Sequence, residues 1–187
     1  MLSIELLSAP TSEDLDQLAE VLHAAVHAGA SVSFVLPFSI EEARAFWVSK
    51  LSSPKRRCLV ARNAARNDGS IVGTVILDLD TTPNQQHRAD VAKLLVHPDA
   101  RRQGIARALM LALEVAARAE GRTLLTLDTR TGDSGEPLYL SLGYTVVGII
   151  PRHARAPDST GLESTTLMLE SSPRTYFLLG ERNASIR

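Results

Sequence analysis

Cysteine is almost missing from this chain: Cys58 is the only one in 187 residues. No intrachain disulfide can form, a cysteine-built metal site is excluded, and a reducing, cytoplasmic setting is the expected location. A surplus of one charge is missing too. Twenty basic and 21 acidic residues leave a formal charge of -1, which supplies no general field for holding a nucleic acid along its length. Long apolar runs are absent: nothing approaches the roughly 18 uncharged apolar residues of a membrane span. Residues 1–10 lack the basic-then-apolar order of a secretory signal, so neither export nor membrane insertion is expected. Internal repeats and low-complexity linkers are lacking as well, and the length is that of one domain.

What is present is the balance of a globular protein, 44% hydrophobic and 22% charged. Residues 3–7 read as a short strand ending at Ala9-Pro10. Thr11 and Asp14 form a capping-box-like start, and Leu15, Leu18, Ala19, Leu22, Ala25 and Val26 follow at helical spacing up to a stop at Gly29. Ser39 and Glu42 open a second helix with Ala43, Phe46, Trp47 and Leu51 on its apolar stripe. Residues 58–62 and 71–79 are rich in branched apolar side chains around a turn at Asn67-Asp68-Gly69, a hairpin pattern. A third strand over 90–97 is closed by Pro98. Then Ile105, Ala108, Leu109, Ala112, Leu113 and Ala116 mark a long amphipathic helix ending at Gly121. A strand over 124–128, a short helix over 134–142 and strands over 144–150 and 164–169 complete the order β-α-α-β-β-β-α-β-α-β-β. That order is α/β with a mixed sheet rather than a doubly wound parallel one. Residues 1–170 make the expected domain, and residues 171–187 show no period.

The informative stretch is residues 91–106, VAKLLVHPDARRQGIA, in which a strand passes through a turn into a helix. The first N–H groups of a helix lack partners and carry the positive end of its dipole, so a diphosphate satisfies both needs. Gly104 removes a Cβ from the approach, Ala106 keeps the next exposed position small, and Arg101 and Arg102 add charge-assisted donors. An isolated R-x-x-G-x-A is as well explained by a solvated arginine pair beside a glycine turn. Here it follows L-L-V-x-P, opens a long helix, and precedes a strand, a short helix and a Leu-Gly-Tyr step at 142–144.

This constellation resembles the GNAT family of N-acetyltransferases over about residues 3–170, most specifically at 91–109 and 124–144. A closer likeness is to the tabtoxin-resistance acetyltransferases, carried by HAGASVSF at 27–34, LTLDT at 125–129, GYTVVGIIP at 143–151 and APDST at 156–160. Arg130-Thr131 and the extension past 170 depart from that pattern. The resemblance implies a mostly antiparallel sheet flanked by helices and splayed at its central parallel strands. It implies acetyl-CoA as cosubstrate and no metal. Leu94, Leu95 and Val96 would face the pantetheine arm, and Arg101, Arg102, Gln103, Gly104, Ile105, Ala106 and Arg107 the diphosphate.

Acetyl transfer to an amine needs a neutral nucleophile, a stabilised oxyanion, a protonated leaving thiolate and close alignment. It needs no covalent enzyme intermediate, and Cys58, in an early apolar strand, reads as structural. A direct ternary-complex mechanism is therefore expected. By the resemblance, Tyr139 is the candidate acid and the Leu95 amide a candidate oxyanion donor; Tyr139 also reads as a core aromatic beside Leu138 and Leu142. Asp128 and Asp90 stand at strand ends as candidates for binding or deprotonating the amine, with turn capping or solvation as the plain alternatives. His27 and His97 fit surface or capping roles. The loop after the first helix, with Ser31, Val32 and Phe34, is the candidate acceptor wall together with Asp128. The expected activity is N-acetylation of a small-molecule amine. A coenzyme A-binding module without turnover and a protein or peptide N-acetyltransferase are the alternatives, and a homodimer is left open.

Overall fold

The computed structural model describes residues 2–63 and 69–170. Asn67-Asp68 of the expected turn, and the stretch 171–187 with its Tyr176-Phe177-Leu178-Leu179, lie outside the described residues. Seven strands are described: β1 (Leu2–Leu6), β2 (Arg56–Asn63), β3 (Ser70–Asp78), β4 (Arg88–Val96), β5 (Leu124–Arg130), β6 (Thr145–Arg155) and β7 (Leu162–Glu170). The helices among them are α1 (Ser12–His27), α2 (Ile40–Leu51), α3 (Ile105–Ala119) and α4 (Gly135–Ser141).

The two helix starts form as their sequences dictate. Thr11 Oγ1 accepts from Asp14 N at 3.1 Å while Asp14 Oδ2 accepts from Thr11 N at 2.9 Å. Ser39 and Glu42 repeat the exchange at 3.2 and 2.8 Å. Each box satisfies two amides that the helix itself cannot, typically about 1 kcal/mol.

The strands make one sheet in the order β1-β2-β3-β4-β5-β7-β6. All neighbours are antiparallel except β4 and β5, which pair in parallel only over Arg88–Asp90 and Leu124–Thr126. Beyond that point each strand continues without the other, and the sheet opens. Alternation along β2 sends Leu59 and Ala61 to the face packed by Leu109, Met110 and Leu113 of α3. Cys58 and Val60 go to the face packed by Leu18 and Leu22 of α1 and Trp47 of α2. β3 is buried on both faces, which is why its sequence reads as a continuous apolar run.

Most element ends shift by a residue or two from the sequence reading, and the end of β6 by more. β4 starts at Arg88, and β6 runs on through Pro151 to Arg155 instead of stopping at Ile150. β6 is an edge strand, where a proline forfeits no ladder bond, and its register shifts between Ile150 and Ala154. Among the described residues no helix is long and apolar enough to cross a membrane.

Candidate active site

The opening between β4 and β5 becomes a cleft of about 620 Å³. Its walls are the loop after α1, the second half of β4, the turn into α3, the end of β5 and the face of α4.

The turn into α3 is built from two left-handed residues, Arg102 (φ +65) and Gly104 (φ +78). Gly104 is the N-cap of α3, and a Cβ placed on it would meet nothing within 4 Å. Space and free helix amides therefore coincide, and Arg101 and Arg102 are exposed beside them. A diphosphate fits this arrangement. Ala106 and Arg107 also line the cleft, and Arg107 Nη2 donates to Ser141 Oγ at 2.6 Å, tying α3 to α4. Ile105 is buried in the core beneath, so what it offers the turn is backbone. Gln103 is exposed but is not part of the cleft wall.

Leu94, Leu95 and Val96 line the cleft from β4. Past Asp90 this strand has no partner on the β5 side, so its backbone there is open to an extended ligand arm. The ladder with β3 slips in this stretch: Thr74 pairs with Leu95 but Ile76 with Ala92, and Lys93 takes φ +53. This is a β-bulge, which re-aims one side chain. Lys93 Nζ donates to Val32 O at 2.9 Å and to Ser33 Oγ at 3.1 Å. It also lies 5.7 and 5.5 Å from the ring centres of Phe34 and Phe46. Burial, with Lys50 adding repulsion, lowers its pKa to about 8, and Asp128 restores only part.

Tyr139 faces the cleft from α4 and is 7% exposed. Burial, with Asp128 and Asp133 adding, raises its pKa well above the ordinary phenol value, so it stays protonated. Its ring lies 5.7 Å from that of Tyr144. Asp128 lines the same cleft, whereas Asp90 does not. Asp90 sits where β4 and β5 still pair, ion-paired to Arg88 at 2.5 Å and accepting from Thr126 Oγ1.

Ser31 and Val32 line the cleft from the loop after α1, with Gly29, Ala30 and Ser33. Phe34 does not reach the wall; it packs behind the loop on Phe38 and Phe46 at 4.4 and 5.2 Å. His27 bonds the Phe38 carbonyl at 3.0 Å, and His97 Nδ1 caps the turn at Asp99 N at 3.3 Å, so both serve the scaffold. Cys58 is buried against Thr74 Oγ1 at 3.4 Å, and burial pushes its thiol up to about 11. It lies outside the cleft and is held as the thiol. Among the described residues no group of three or more His, Cys, Asp or Glu is arranged to hold a metal ion.

Two cleft cations escaped the sequence reading. Lys93 had a signal, a single charge inside the apolar run VAKLLV. Arg130 had none of its own: besides a local pair with Asp133 at 3.3 Å, it bonds the Gly29 carbonyl at 3.2 Å and pairs with Glu163 at 3.1 Å, contacts that only the fold creates.

Comparison with known proteins agrees with this architecture. Residues 23–144 match the Acetyltransferase (GNAT) family. The chain is 33% identical over 137 residues to an uncharacterized N-acetyltransferase of the hisH-hisA intergenic region of Azospirillum brasilense, covering 72% of this chain and 79% of that protein. Its fold is similar to an N-acetyltransferase from Staphylococcus aureus Mu50, with a TM-score of 0.76 at 19% identity over 93% of this chain and 99% of that one. It is also similar to yncA of Salmonella typhimurium, a structure with its cofactor acetyl-CoA, with a TM-score of 0.72 at 18% identity over 91% and 93% of the two chains.

Proposed function

This chain belongs to the GNAT acetyltransferase family and is an acetyl-CoA-dependent N-acetyltransferase, and from that premise we propose that its acceptor is the amine of a small molecule, acetylated directly within a ternary complex. The observation that carries the small acceptor is the acceptor wall itself. Residues 29–33 are small or short, and Lys93 draws Val32 and Ser33 down onto β4. A compact polar molecule fits such a wall better than a long peptide does.

The bound coenzyme supplies an activated thioester carbonyl. The amides at the start of α3, with Arg101 and Arg102, would hold its diphosphate, and the unpaired backbone of Leu94, Leu95 and Val96 its pantetheine arm. An amide near Leu95 would donate to the carbonyl oxygen as charge builds there. Asp128 would hold the acceptor's ammonium and take its proton, and Tyr139, kept protonated by its burial, would give a proton to the departing sulfur. Cys58 has no place in this sequence, in keeping with direct transfer. Asp90, engaged by Arg88 and Thr126, is left the role of fixing the point where the strands part.

The test is release of free coenzyme A from acetyl-CoA with a panel of small amines and peptides, with mass spectrometry of the products. Small amines should be acetylated in step with coenzyme release. Turnover confined to peptides would assign the cleft to protein N-termini or lysines, and binding without release would make the chain a coenzyme-binding module.

A further inference from the structure

The acceptor end of the cleft holds two side-chain cations in contrasting states. Arg130 is neutralised by Glu163 and Asp133. Lys93 makes no ion pair with a carboxylate among the described residues; its partners are a carbonyl, a hydroxyl and two ring faces. An ammonium has three N–H donors, and the loop uses two. Withdrawing a cation from water without a counter-charge is costly, and ring faces return only part of that cost. The charges acting on Lys93 are Lys50 from α2, itself bonded to Asp78 at 3.0 Å, and Asp128 from β5. The cleft thus presents an under-compensated cation on β4 and a carboxylate on β5, one on each strand beyond the point where they stop pairing.

Resting on the reading of this end as the acceptor site, we propose that Lys93 is a specificity-determining residue that recognises a carboxylate on the acceptor, which is a compact zwitterion: an amine that also carries an acid group, as in a free amino acid. The ammonium goes to Asp128 and the acid to the remaining N–H of Lys93. A carboxylate brought to Lys93 supplies the missing counter-charge and a charge-assisted hydrogen bond. The bulge serves this purpose by turning Lys93 out of the strand's regular alternation.

The experiment compares kcat/KM for pairs of acceptors that differ only in the acid group, an amino acid against its primary amide, in wild type, Lys93→Met, Lys93→Arg and Ser33→Ala. Wild type favours the acid member by roughly 10- to 100-fold, the worth of a hydrogen bond to a charged group. Lys93→Met brings the ratio to about one through KM, and Lys93→Arg retains a preference. Ser33→Ala removes a loop contact and keeps the ratio. A wild-type ratio near one overturns the proposal even if Lys93→Met fails to fold, and so does a preference that survives Lys93→Met. A merely structural lysine would lower both members alike, with Ser33→Ala copying the effect. Amines acetylated without regard to the acid group would sink this inference alone, whereas no acetylated amine at all would sink the acceptor reading beneath it.

Discussion

A Cβ built on Gly73 would lie 2.9 Å from the carbonyl oxygen of Leu95, with Ile105 Cγ2 at 3.1 Å and Leu109 Cδ1 at 3.2 Å. β3 therefore approaches the cleft-lining part of β4 and the start of α3 as closely as it does only because residue 73 has no side chain. Gly73→Ala should push β4 or α3 outward. Overpacking of this kind typically costs about 1–3 kcal/mol, or a fall in Tm of roughly 2–12 °C for a chain of this size. Acetyl-CoA affinity should fall with it. Thermal melts and calorimetry check both; an unchanged Tm would show that the contact relaxes freely.

Tyr139→Phe keeps the ring against Tyr144 and removes the proton. Acetyl-CoA affinity should persist while kcat drops roughly 10²–10⁴-fold, the usual contribution of a general acid. Because burial holds the phenol protonated, the loss should be uniform across neutral pH. Full activity in the variant would reduce Tyr139 to a core aromatic.

The pKa of Lys93 gives the carboxylate preference a pH dependence with a definite sign. Recognition of an acid needs the ammonium form, which is complete well below about 8 and is lost as pH rises through that value. KM for an amino acid should therefore climb above pH 8 more steeply in wild type than in Lys93→Met, which lacks the titrating group. A bound acid favours the charged form, so the rise starts near the free protein's value of about 8 and levels off only above the higher value of the complex. Parallel KM profiles for that amino acid in wild type and Lys93→Met would contradict the role.

Asp14 is expected to matter for stability alone. It is 8% exposed, caps α1 through Thr11 and pairs with Arg62 at 2.5 Å. Burial opposes its charge, but Arg62 and Thr11 outweigh burial and hold its pKa below the ordinary 3.8. A carboxylate depressed in the fold contributes stability that is present above 3.8 and lost as pH falls through the folded value. Asp14→Asn should cost about 1–2 kcal/mol at pH 7 and less near pH 3, with kcat unaffected. Denaturant melts at the two pH values provide the check, and equal losses at both would remove the charge from the account.

The helices were legible because their signals are local: both capping boxes and the stop at Gly29 are written within a few residues. Gly104 was legible for the same reason, since a glycine between a strand and a long apolar helix has few structural meanings. The carboxylates were not separable. Asp90 and Asp128 both read as strand-end residues, and their fates divide only because the parallel ladder stops at Asp90 and Thr126. Phe34 read as wall and proved to be backing, which depends on where α2 packs. Lys93 stood out in β4's own sequence as a lone charge, but its aim required knowing that one residue of β4 is extra, a matter of register with β3.

The central claim is that acetyl-CoA lies with its diphosphate at the Gly104 turn, and one pair of variants tests it most directly. Gly104→Asn and Gly104→Asp have nearly the same shape, both meet open space, and both residue types tolerate the left-handed backbone better than most. They differ in one negative charge set against the diphosphate. Calorimetric titration of acetyl-CoA into each folded variant should show weakened binding in Gly104→Asn and roughly 10-fold or greater further loss in Gly104→Asp, with turnover falling in the same order. Equal affinity in the two variants, at the wild-type level, would place the coenzyme elsewhere and contradict the account.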